Sequence, residues 1–96
     1  MKVRWSPLAL DRAAEAYAYI ASDDPNAAER WLAGLLEAGG SLVDFPERGR
    51  AVPEIGRTEI REVFHGAYRV VYRVDPTEVV VLTVRHGRRL LDDREV

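Results

Sequence analysis

Two helix starts near the N-terminus constrain this chain more than any other feature. Ser6-Pro7 and Asp24-Pro25 each place a capping side-chain oxygen before a proline at the first helical position. After the first start, helical spacing joins the apolar residues Leu10, Ala13, Ala14, Tyr17, Ile20 and Ala21. After the second, it joins Ala28, Trp31, Leu32, Leu35 and Leu42. The pattern predicts a helical hairpin, in which Gly39-Gly40 either ends the second helix or allows another element to approach closely.

The rest of the chain has the character of strands and turns. Residues 2–5 alternate between polar and apolar and predict a short strand, whereas Pro46 and Gly49 indicate a loop. Further strands are predicted at 58–64, 67–74 and 79–85, with turns at 65–66 and 75–78. Residues 1–96 are therefore expected to form a single α+β domain: an N-terminal strand, a helical hairpin, then a three-stranded antiparallel meander, making one twisted sheet.

Composition narrows the possible chemistry. The chain has no cysteine, which excludes disulfides and thiolate metal sites. Its two histidines, His65 and His86, lack the spacing of metal ligands, so we expect neither a metal nor a cofactor. No apolar run has membrane-spanning length and nothing resembles a signal peptide, so we expect no membrane association and a cytoplasmic location.

The basic residues are distributed unevenly along the chain. Residues 1–47 carry four basic groups against eight acidic ones, whereas residues 48–96 carry ten arginines, no lysine and eight acidic groups. Arginine presents a planar set of donors that suits phosphates and carboxylates. A genome rich in G and C would also favour arginine over lysine, but this does not explain the clustering after residue 47.

The meander predicts two different sheet faces. If Val74 pairs with Val79 across a four-residue turn, Tyr72 opposes Val81 and Val70 opposes Thr83. The face expected under the helices carries Tyr68, Val70, Tyr72, Val74, Val79 and Val81. The other face carries Arg69, Val71, Arg73, Val80, Leu82 and Val84. It is either a solvated surface or an open groove for a partner, and a one-residue register slip would exchange the faces.

Two motifs in the C-terminal half carry a family resemblance. Tyr68-Arg69-Val70-Val71-Tyr72 and His86-Gly87-Arg88-Arg89 resemble the corresponding segments of RelE/ParE toxins of type II toxin–antitoxin systems. The order of the N-terminal strand, Ser6-Pro7, the helical hairpin and the loop is similar as well, so the resemblance covers nearly the whole chain. It implies a toxin held inactive by a cognate antitoxin.

The resemblance implies two alternative activities. RelE-like toxins cleave mRNA in the ribosome; here the matching nuclease residues would be Arg61, Arg69, His86 and Arg88. RelE-like toxins also resemble one another in having a tyrosine or histidine close to the C-terminus. The late tyrosine is missing here, and three acidic residues in the tail would repel phosphate. The resemblance therefore favours the ParE-like branch, whose members inhibit DNA gyrase, and makes an endoribonuclease the alternative.

The remaining expectations concern partners. The resemblance implies that the tail residues Arg88, Arg89, Leu90 and Leu91 contact the target; the alternative is a surface tail whose arginines pair with Asp92 and Asp93. We expect an acidic, partly disordered antitoxin segment to bind Arg69, Val71, Arg73, Leu82 and Val84 in a toxin–antitoxin hetero-oligomer. A third possibility is a non-toxic relic that only binds antitoxin.

Overall fold

The computed structural model describes residues 1–96 and contains one mixed sheet with two helices on one side. The elements in chain order are β1 (Lys2–Trp5), α1 (Pro7–Asp23), α2 (Pro25–Ser41), β2 (Arg50–Ala51), β3 (Ile60–His65), β4 (Tyr68–Val74) and β5 (Glu78–His86), followed by a 3₁₀ turn (Asp93–Glu95). The strand order is β1-β5-β4-β3-β2, with β1 parallel to β5 and the other pairs antiparallel. The predicted α+β class is confirmed, and the sheet gains the two-residue edge strand β2 from a segment given to no strand in the prediction.

Both predicted helix caps are present. The Ser6 hydroxyl oxygen accepts from the Ala9 N–H at 3.0 Å and donates to the Leu82 carbonyl at 2.8 Å, which also ties the start of α1 to β5. Asp24 caps α2 by accepting two backbone N–H groups, at 3.0 and 3.2 Å. The helix continues through Gly39, where a Cβ atom would lie 2.5 Å from the Trp5 ring. Glycine is therefore needed for close packing of Trp5, which is the second of the two predicted alternatives.

The face of α1 that meets the sheet differs from the predicted one. The buried positions are Ala9, Ala13 and Ala16, whereas Leu10 is 54% exposed. Small side chains let the helix axis lie close to the sheet, because less volume separates the two backbones. Leu10 and Tyr17 of α1 consequently turn away from the sheet and line a groove beside α2.

The sheet register follows the prediction up to a β-bulge. Val74 pairs with Val79 and Tyr72 with Val81, as predicted. Between Tyr72 and Val71 the register shifts by one residue, because β5 contains an extra residue there. Val70 therefore pairs with Val84 rather than with Thr83. The predicted placement of Val84 beside the arginines is therefore wrong: Val84 packs with Val70 in the core under the helices.

Candidate functional site

The sheet face opposite the helices, which we call the outer face, is organised around Arg69. This side chain is buried, and its Nε donates to Glu62 Oε1 at 2.6 Å. Its two terminal nitrogens donate to the Glu54 carboxylate at 2.7 and 2.9 Å, and one also donates to the Arg89 carbonyl at 3.1 Å. Two carboxylates therefore neutralise the guanidinium group and occupy most of its donors.

The two carboxylates hold Arg69 from different parts of the chain. Glu62 lies on β3 with a fully buried side chain and also accepts from Arg50 at 2.7 Å. Glu54, from the loop between β2 and β3, also accepts from the Leu91 N–H at 3.1 Å. The hydrogen bonds from Arg69 lower the Glu54 pKa from 4.5 to about 2, and the Leu91 N–H acts in the same direction against partial burial. Glu54 thus joins the buried arginine to the C-terminal tail.

The C-terminal tail closes the outer face. Leu91 is buried among the apolar side chains of this face, which are Val52, Ile60, Val71, Val80 and Leu82. Glu95 fixes the end of the tail, because its carboxylate accepts from Arg85 at 2.8 to 3.0 Å and from Thr83 at 3.0 Å. The C-terminal residues of the chain therefore cover the apolar strip of the outer face, which was predicted to be either a solvated surface or an open groove.

The expectation that Arg69 and Arg73 lie open to a partner is therefore wrong. Arg69 is buried, and Arg73, whose side chain is 32% exposed, is bound by Asp75 at 2.9 and 3.1 Å. Val71 and Leu82 are covered as well. The sequence placed both arginines on one strand but did not reveal that Glu54, Glu62 and the tail supply the partners of Arg69. Antitoxin contact with Arg69, Val71 and Leu82 would require the tail to leave.

The four nuclease candidates do not converge on one site. Successive side chains of a strand point to opposite faces, so Arg61 lies on the face opposite Glu62 and hence opposite Arg69. It donates to the Gly49 carbonyl at 2.8 Å and holds the loop before β2. His86 packs edge-to-face on Tyr68, at 5.5 Å between ring centroids, while Arg88 is exposed.

The predicted target-binding residues divide into an exposed set and a buried one. Arg88, Arg89 and Leu90 are exposed, and Leu90 is 81% accessible, whereas Leu91 points into the outer-face core. The guanidinium groups of Arg88 and Arg89 form no hydrogen bond or ion pair. Asp92 binds Arg94 at 2.6 Å instead, and the Asp93 carboxylate forms no ion pair. The alternative in which Asp92 and Asp93 pair with Arg88 and Arg89 is therefore wrong. Two unpaired cations and an exposed leucine remain at this corner.

A second surface, which we call the helical groove, lies between α1 and α2 and was not predicted. It encloses about 330 Å³, and every lining residue is hydrophobic: Trp5, Leu10, Ala13, Ala14, Tyr17, Leu32, Leu35 and Leu36. Leu10 and Leu36 are about half exposed along it. The apolar residues of α1 extend beyond the alanine face that meets the sheet, and this broad apolar arc was the available signal.

No group of three or more His, Cys, Asp or Glu side chains is arranged to hold a metal ion. Neither helix combines the length and the apolar character needed to cross a membrane.

Comparison with known proteins assigns the family. Residues 3–91 match the family model described as the ParE toxin of the type II toxin–antitoxin system parDE. The chain is 35% identical over 88 residues to "Putative toxin Y4kP" of Sinorhizobium fredii, covering 92% of this chain and 90% of that protein.

Two solved structures have similar folds. One is described as a chromosomal ParDE system from P. aeruginosa, with a TM-score of 0.73, 18% identity and coverage of 90% of this chain and 95% of that one. The other is the RelBE2 toxin–antitoxin complex from Mycobacterium tuberculosis, with a TM-score of 0.62, 26% identity and coverage of 88% and 95%. With its family match, its 35% identical relative and its shared fold, this chain belongs to the ParE toxin family of type II toxin–antitoxin systems.

Proposed function

We propose that this toxin acts in the cytoplasm by binding and poisoning DNA gyrase, without cleaving RNA. The observation that argues against RNA cleavage is the saturation of Arg69 by Glu54 and Glu62. A protein target is supported by the exposed corner of the C-terminal tail. RNA cleavage by attack of a 2′-hydroxyl needs cations free to stabilise the charge that develops on the phosphate. Here two carboxylates occupy the donors of Arg69, and they would repel a phosphate placed against this guanidinium group.

The exposed corner formed by Arg88, Arg89 and Leu90 is the surface that we assign to the target. Its cations are unpaired and its leucine is accessible, so it can contribute ion pairs and an apolar anchor to another protein. Buried Leu91 holds this corner in place from beneath. Because Leu91 is buried, it is not part of the target surface.

Parallel assays separate this activity from the alternatives. The purified chain is expected to increase gyrase-dependent double-strand cleavage of plasmid DNA, and to leave mRNA intact in a reconstituted translation system. Arg88→Ala combined with Leu90→Ser should abolish the gyrase effect, whereas Arg30→Ala, which changes an exposed arginine on α2, should not. Cleavage of mRNA that is lost in Arg69→Ala would refute the proposal. Harmless expression without antitoxin would indicate the relic instead.

The antitoxin is assigned to the helical groove rather than to the outer face. The groove is apolar throughout and open, whereas the outer face is closed by the tail. An open apolar groove between two helices suits the apolar side of an amphipathic segment, and a chain segment that orders on binding would cover it. A hetero-oligomeric pairing is in keeping with the RelBE2 relative, which is described as a toxin–antitoxin complex.

Groove variants test this docking site. Leu10→Ser and Leu36→Ser should each weaken binding of the cognate antitoxin by about tenfold or more, since each removes a half-exposed apolar anchor. Phe45→Ser is the matched control, because Phe45 is 65% exposed and lies outside the groove. Unchanged affinity in both groove variants would refute the site while leaving the gyrase proposal standing.

A further inference from the structure

A cleft lies between α1 and the C-terminal end of β5, apart from the helical groove and the outer face. It encloses about 430 Å³. Its charged and aromatic lining residues are Arg12, Glu15, Tyr19, Tyr68, Arg85, His86 and Arg89. The cleft therefore combines cationic, hydrogen-bonding and aromatic side chains, whereas the helical groove is wholly hydrophobic.

Several hydrogen-bond donors in this cleft have no partner within the chain. The Arg89 guanidinium group is unpaired, since only the backbone carbonyl of that residue is used, by Arg69. His86 accepts the Arg88 N–H at its Nδ1, at 3.2 Å, so the neutral ring carries its proton on Nε2 and offers it as a donor. The Tyr68 hydroxyl forms no hydrogen bond either, and its ring is fixed between Trp31 and His86.

The charge balance of the cleft favours an anion. Arg12 is bound to Glu15 at 3.2 Å and lies 3.6 Å from Glu95, which also binds Arg85. Two carboxylates thus compensate two of the three arginines. Arg89 remains as a surplus positive charge beside His86 and Tyr68.

We propose that this cleft binds the phosphoryl group of a nucleoside phosphate. The planar donors of Arg89, the His86 Nε2–H and the Tyr68 hydroxyl suit the several acceptor oxygens of a phosphate. The volume is in the range of small-molecule sites, about 300 to 1,000 Å³, and is larger than a bare phosphate needs. Tyr19, which is 74% exposed, lines the cleft and offers a ring on which a base can stack. The phosphoryl group can come from a free nucleotide or from the 5′ end of a strand.

An NMR titration of the full chain tests the proposal. The probes are dAMP, inorganic phosphate, unphosphorylated deoxyadenosine and a short 5′-phosphorylated oligonucleotide, followed at the side-chain N–H signals of Arg89 and His86. We expect dAMP to shift these signals at millimolar concentration and deoxyadenosine not to shift them. Tighter binding of the oligonucleotide than of dAMP would identify the strand end as the source, and the reverse order a free nucleotide.

Matched variants distinguish a specific phosphate site from general electrostatic attraction. Arg89→Ala should weaken dAMP binding by about tenfold, the usual effect of losing a charge-assisted contact, whereas Arg30→Ala removes the same charge elsewhere and should change it less than about twofold. Tyr19→Ala should weaken dAMP about fivefold and leave inorganic phosphate unaffected. Equal losses in Arg89→Ala and Arg30→Ala, or equal shifts from dAMP and deoxyadenosine, would overturn the proposal. No gyrase or antitoxin enters the assay, so the result is independent of the proposed function.

Discussion

The outer face and the helical groove are both strips of apolar side chains, but the chain treats them in opposite ways. Leu91 covers the outer face, and Glu54 and Glu62 bind the arginine within it. The helical groove has no such cover, and Leu10 and Leu36 remain half exposed. We assign the open surface to a partner, because large exposed apolar patches are typical of interaction sites. The closed face should therefore contribute to stability, and the open one to binding.

The largest expected effect is that of breaking the ion-pair network on the closed face. Arg69→Ala leaves the fully buried Glu62 carboxylate with Arg50 alone, and Arg50 is 62% exposed. Removing one partner of a buried pair costs about 3–5 kcal/mol, so the free energy of unfolding should fall by that amount in urea denaturation. Arg73→Ala is the control: its pair with Asp75 is partly exposed, and the loss should stay below about 1 kcal/mol. Similar losses of unfolding free energy in the two variants would show that the buried network contributes no more than an exposed ion pair.

A leucine from each surface gives a sharper comparison. Leu91→Ala empties a buried position in the outer-face core, which should lower the unfolding free energy by about 2–3 kcal/mol. Leu36→Ala, in the groove, changes a residue that is 53% exposed and should cost less than about 1 kcal/mol. For antitoxin affinity we expect the opposite order, with the larger loss in Leu36→Ala and the smaller one in Leu91→Ala. A Leu36 variant that unfolds as readily as the Leu91 variant would show that the groove is part of the core.

Acid should weaken the ion-pair network of the outer face, because it protonates Glu54. The folded-state pKa of Glu54 is about 2, below its ordinary value of 4.5, so its contribution to stability is complete above about pH 4.5 and is lost as the pH falls toward 2. Glu54→Gln should cost about 1–2 kcal/mol at neutral pH, a modest amount because the side chain is 22% exposed. The difference between wild type and variant should shrink between pH 4.5 and pH 2 in denaturation curves. A constant difference would show that the Glu54 carboxylate has no special role.

The helices and strands could be predicted from local sequence signals. The outer-face site was predicted wrongly because it depends on contacts between residues far apart in the sequence. Proline after Ser6 and Asp24 located both helices because a cap acts on its own first turn. The β-bulge opposite Val71 and Tyr72 could not be foreseen, because the extra residue lies in β5 and leaves the alternation of residues 70–74 unchanged. The closure of the outer face depends on Glu54 and on Leu91, 37 positions later, and no sequence pattern joins these two.

Amide hydrogen exchange on the free chain and on its antitoxin complex tests the central comparison most directly. The Leu91 amide is bound to Glu54, and we expect it and the outer-face strands to exchange slowly in the free chain and to remain unchanged in the complex. Amides of α1 and α2 beside Leu10 and Leu36 should gain protection. Faster exchange of the Leu91 amide in the complex, with no change in the groove amides, would show that the antitoxin releases the tail. That result would contradict the assignment of the antitoxin to the helical groove.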